Sequence, residues 1–137
     1  MAHGRHRTYG ALAMRYALLS LALLLAACGT EEAPDSTGTL RIEAQPEPNP
    51  PRTGQNALVL HVHDADGQPV AGASLSVEAF MPSMSHGSTQ ASQITDNGDG
   101  SYRAEPLTFQ MPGLWQVDVH ATAAGEEGSA VFTWDVD

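Results

Sequence analysis

From residue 40 onward the chain alternates, and this alternation limits its fold more than any other feature. Leu40, Ile42 and Ala44 enclose Arg41 and Glu43; Leu58, Leu60 and Val62 alternate with Val59, His61 and His63. The pattern repeats in Leu75, Val77 and Ala79 against Ser76, Glu78 and Phe80. It returns in Trp115, Val117 and Val119 against Gln116, Asp118 and His120, and closes with Val131-Phe132-Thr133-Trp134. Successive side chains of a strand point to opposite faces, so a period of two marks strands with one buried face. Asp66-Gly67, Asn97-Gly98, Asp99-Gly100 and Ala124-Gly125 separate these runs as turn signals. No apolar stripe of helical period persists in this region. The expectation is an all-β fold: an immunoglobulin-like antiparallel β-sandwich of about seven strands, without the Cys-Trp-Cys signature of immunoglobulin domains proper.

The residues before this region read differently. Arg5, Arg7 and Arg15 precede an apolar run, Ala17 to Ala27, that ends at Cys28. The run is too short for a membrane-spanning helix, which needs about 20 residues. Basic, then apolar, then small is the order of a secretory signal. Leu25-Ala26-Ala27-Cys28 resembles a bacterial lipobox, which implies cleavage before Cys28 and lipid attachment to it. The expected organisation is a signal peptide over 1–27, a lipidated Cys28 with a flexible acidic tether over 28–39, and the sandwich over 40–137. Several acyl chains on one cysteine hold a protein to a membrane where a single chain would not. Gly29 follows the cysteine, rather than the Asp that retains enterobacterial lipoproteins at the inner membrane, so an outer membrane is the expected location in a diderm cell.

Charge then excludes partners. All sixteen carboxylates lie beyond Cys28, against Arg41, Arg52 and Arg103 and no Lys, a formal net charge of −13 with His neutral. Such a surface repels phosphate backbones, so no nucleic acid is expected. Cys28 is the only cysteine, so the domain has neither a disulfide nor a thiolate site.

One segment carries candidate chemistry. Met81-Pro82-Ser83-Met84-Ser85-His86 places two thioethers and an imidazole within six residues, and Met111 is the only other Met beyond Cys28. If 90–95 pair with 101–107 about the 96–100 loop, Thr95 faces Ser101, Gln93 faces Arg103, and Met111 comes to lie opposite Ser85. Thioether sulfur is soft and suits Cu(I). Outside the cytoplasm it also needs no deprotonation and cannot form a disulfide. Met81, Met84, His86 and Met111 are therefore candidate Cu(I) ligands, although Met in a β-domain is ordinarily core filling. His61 and His63 share one face of a strand and are secondary metal candidates. Asp64, Asp66, Asp96 and Asp99 could form a Ca²⁺- or polysaccharide-binding surface, although a tight hairpin accounts for Asp64-x-Asp66-Gly67. Ser83, Ser85 and Ser88 near His86 have no nucleophile elbow and no orienting carboxylate, so no enzymatic activity is expected.

The chain resembles the YtkA-like (FixH-related) family of exported domains. The residues that carry the resemblance are Gly54-Gln55-Asn56, the stretch Asp64 to Ala73 (DADGQPVAGA), Met81 to His86, Gly100-Ser101-Tyr102, and Phe109-Gln110-Met111-Pro112-Gly113-Leu114-Trp115. The resemblance implies an immunoglobulin-like fold and a part in copper handling or cytochrome oxidase assembly. Its implied partners are the membrane, through the lipid on Cys28, and an envelope protein that receives or donates copper. The rival expectation is a non-catalytic structural or protein-interaction module with no metal.

Overall fold

The computed structural model describes residues 34–137. The signal segment, Cys28 and the first part of the tether lie outside the described residues. Glu32–Asp137 forms one compact unit. Its nine strands are β1 (Asp35–Gly38), β2 (Arg41–Glu47), β3 (Gly54–His63), β4 (Ser74–Met81), β5 (His86–Gly87), β6 (Gln93–Asp96), β7 (Ser101–Phe109), β8 (Gly113–Ala123) and β9 (Glu126–Val136). They build two antiparallel sheets, β1-β9-β8-β4-β5 and β2-β3-β7-β6.

The alternation is realised as read. Leu58, Leu60 and Val62 of β3, Val117 and Val119 of β8, and Ala130 and Phe132 of β9 turn inward, with Trp115, Tyr102 and Phe109 among the largest fully buried side chains. Among the described residues, the core cluster runs from Leu40 to Val136 and draws on both sheets. β8 and β9 pair at eleven consecutive positions and form the spine of the first sheet.

One boundary and one register differ from the sequence reading. Asp35–Gly38, assigned above to the tether, pairs with Val131–Gly128 along the edge of β9. All four residues are exposed. Backbone hydrogen bonds and a Thr37–Ser129 hydroxyl contact of 2.7 Å hold this strand, so it has no apolar face to announce it. The β6–β7 hairpin pairs Thr95 with Arg103 and Gln93 with Glu105, two residues away from the expected register. Its turn is centred on Asp99 rather than on Gly98: Asn97 N–H reaches Ser101 C=O at 3.0 Å, while Asp96 Oδ1 accepts from Gly98 N–H at 2.7 Å. The shift is even, so every side chain keeps its face.

Candidate functional site

The Met/His segment is the corner between β4 and β5. Leu75, Val77, Ala79 and Met81 are the inward positions of β4, and Met81 reaches the core with 2 % of its surface exposed. The chain then turns through Pro82–Ser85. Met81 C=O accepts from both Met84 N–H (3.1 Å) and Ser85 N–H (3.0 Å). Ser85 takes a left-handed φ of 55°, an uncommon conformation for a residue with a side chain. The turn returns His86 directly beside Met81 as its Cα partner, and it leaves Met84 at the apex, 57 % exposed.

Met111 arrives from the β7–β8 connection, half-buried and packed against the core. Extending the β6–β7 hairpin does not explain its position, because His86 and Gly87 leave that sheet and pair with β4 in the other. Trp115 links the two segments instead. Its ring lies edge-on to the His86 ring, with centroids 5.8 Å apart and planes at 70°. Its indole Nε1–H donates to Met111 C=O at 3.0 Å. Phe109 backs the indole at 5.2 Å. Below them the Met81 methyl group fills the space over Gly113, where a Cβ would meet it at 3.0 Å.

One end of the sandwich therefore carries an exposed thioether (Met84), a half-buried imidazole (His86) and a half-buried thioether (Met111), over a buried thioether (Met81). The indole contacts one of these residues through its ring, His86, and another through its backbone carbonyl, Met111. Sequence reasoning did not single out Trp115 as the link. The signal was present, since Trp115 is an inward position of β8 four residues after Met111.

A family model described as YtkA-like matches residues 36–120. The chain belongs to the YtkA-like family. The match contains all four Met/His residues and Trp115, and it stops before β9, which completes the sheet in this member. Searches of curated proteins and of solved structures returned no match.

The other candidates of the YtkA-like domain are spread elsewhere. His61 and His63 lie on the outer face of β3, where Glu43 and Ser101 flank His61 and Arg41 flanks His63. Among the described residues no group of three His, Cys, Asp or Glu side chains is placed to hold a metal ion. Asp64 Oδ1 accepts from Asp66 N–H (2.9 Å) and Gln68 N–H (2.8 Å), so it holds a hairpin. Asp99 Oδ1 accepts from the hydroxyl (2.6 Å) and N–H (2.9 Å) of Ser101. The hydroxyl bond, then the backbone bond, holds its carboxyl below the usual range. Arg103 bonds Glu47 at 2.6 Å and Glu105 at 2.8 Å. These two acids raise its guanidinium pKa further and tie it to one wall of an open groove of about 640 Å³.

Proposed function

We propose that this YtkA-like domain is an extracytoplasmic Cu(I)-binding module, lipid-anchored through Cys28, that buffers copper or passes it to an envelope partner. The ligands are Met84, His86 and Met111, with Met81 packed beneath them. The observation that carries this reading is the convergence on Trp115. Two segments 25 residues apart, His86 and Met111, are both fixed by one buried indole. Soft neutral donors select Cu(I) over Zn²⁺, Ca²⁺ or Mg²⁺. Delivery proceeds by ligand exchange: the exposed Met84 leaves first, and the partner supplies a thiolate, thioether or imidazole in its place. No covalent chemistry is required, and the domain acts without catalysis.

The test is an anaerobic Cu(I) titration of Glu32–Asp137 against a competing chromogenic chelator, with Met84→Leu/His86→Ala as the control. One ion bound per chain at nanomolar affinity or tighter, and lost in the double variant, supports the site. No competition with the chelator, or binding retained by the double variant, overturns it. That outcome leaves the reading favoured by the burial of Met81: a structural or protein-interaction module whose thioethers only pack one end of the sandwich.

A further inference from the structure

The two sheets differ in charge. The five strands of the first sheet carry Asp35, Glu78, Asp118, Glu126, Glu127 and Asp135 and neither Arg nor Lys. Arg41 and Arg103 lie in the second sheet, and Arg52 lies in the loop that joins its first two strands. No strand or helix among the described residues covers the outer face of the first sheet. At the Met84 end of that face the surface becomes apolar. Leu114 is 54 % exposed on β8, beyond the half-buried Phe80, whose Cα partner is Gln116. Leu114 and Met84 are the exposed large hydrophobic residues of the described chain. Carboxylates border this apolar spot on both sides: Asp135 is the Cα partner of Leu114, and Glu78 pairs with Asp118 one outward position past Phe80.

We infer that this face docks a protein partner whose contact surface is apolar at its centre and ringed by Lys or Arg. Exposed apolar side chains rimmed by charge mark interaction sites. A face of one sign speeds encounter with the opposite sign and rejects its own. A second copy of this chain would present the same carboxylates and be repelled, and so would an anionic lipid surface. The partner is therefore a basic protein. It would approach beside Met84, at the end where the proposed copper site opens, so the inference extends that reading. The docking argument itself uses only charge and exposure.

The test uses ¹⁵N-labelled Glu32–Asp137 and a peptide probe, Lys-Lys-Leu-Phe-Leu-Lys-Lys, with two controls: a Glu-for-Lys version and an Ala-for-apolar version. Docking predicts amide shifts concentrated at Phe80, Leu114, Gln116, Asp118 and Asp135 with the probe alone. It also predicts at least a fivefold weaker affinity for Leu114→Ser and for Asp118→Asn/Asp135→Asn, and a further loss between 20 and 200 mM salt. Shifts that map to the second sheet, equal binding of the Ala control, or an unaffected Leu114→Ser variant would overturn the inference. So would concentration-dependent self-association through this face. Met84→Leu separates the two readings, because it removes the sulfur and keeps an apolar side chain. Docking survives that substitution even where copper binding does not.

Discussion

The His86 ring stands edge-on to the Trp115 ring at a centroid distance of 5.8 Å. This contact holds the imidazole at the corner of β4 and β5, next to the turn whose apex is the exposed Met84. Edge-to-face aromatic pairs contribute about 0.5–1.5 kcal/mol beyond burial, so the ring is placed before any ion arrives. An ion held by His86 sits close to the indole and perturbs its emission. Cu(I) addition is therefore expected to change Trp115 fluorescence with a one-to-one end point. Trp134 emits as well, so the signal is read in the Trp134→Phe variant, where Trp115 is the one remaining indole. An unchanged spectrum at saturation would place the ion away from His86.

The four candidate ligands are not equivalent. Met81 is 2 % exposed and belongs to the core, whereas Met84 is 57 % exposed. Met81→Leu keeps the side-chain volume, and such swaps cost less than about 1.5 kcal/mol; it is expected to retain Cu(I) affinity within threefold. Met84→Leu is expected to weaken it at least tenfold without shifting the urea midpoint. The reverse ranking in the chelator competition would move the site into the core.

Exposure also orders the oxidation of the thioethers. Limited hydrogen peroxide is expected to convert Met84 to the sulfoxide first, Met111 more slowly, and Met81 only when the domain unfolds. The sulfoxide is a poor ligand for Cu(I), so oxidation and loss of copper affinity rise together. If Met84 is a ligand as proposed, Cu(I) is expected to protect it under the same conditions. Peptide mapping by mass spectrometry reads the order, and uniform oxidation of all three residues would contradict it.

At the other end of the sandwich, Tyr102 is fully buried and its hydroxyl serves two backbone groups. It donates to Val70 C=O at 2.6 Å and accepts from Ala73 N–H at 3.0 Å, which pins the β3–β4 connection to β7. Tyr102→Phe keeps the ring and strips both bonds, and a buried group left unpaired costs about 1–3 kcal/mol. The unfolding free energy from urea titration is expected to fall by that amount while Cu(I) affinity at the opposite end stays unchanged.

Much of this was legible because a buried face prints itself on the sequence. Leu75, Val77 and Ala79 fix the inward face of β4, and extending the count by two places Met81 in the core. β1 left no such print, since Asp35–Gly38 buries nothing. The β6–β7 register turned on which of two overlapping turn signals, Asn97-Gly98 or Asp99-Gly100, centres the loop, and the side-chain bonds of Asp96 and Asp99 that accompany the observed turn do not show in the dipeptides alone. Met111 was expected opposite Ser85 through the β6–β7 hairpin, whereas His86 and the Met111 backbone each contact Trp115. The pairing that sets His86 beside Met81, β5 against β4, involves two residues in a strand too short to show a period.

The close approach of β9 to the start of β2 supplies a last expectation. Gly128 is buried, and a Cβ built on it would land on the carbonyl oxygen of Leu40, a backbone atom that cannot swing aside. Leu40 N–H and Thr39 N–H both bond Glu127 C=O at this point, so the chain passes from one sheet to the other within a single contact. Gly128→Ala must push the two strands apart, open the Leu40 end of the core and loosen β1 from β9. Its cost is expected to match that of an overpacked core, about 1–3 kcal/mol or more. Gly125→Ala is the control: it lies in the adjacent turn, where an added Cβ meets nothing within 4 Å but its φ of 84° is unfavourable for a side chain. Amide exchange separates them. Gly128→Ala should accelerate exchange along β1 and the first residues of β2, and Gly125→Ala should disturb only the β8–β9 turn. Equal protection of β1 in both variants would show that the strands can yield at this contact.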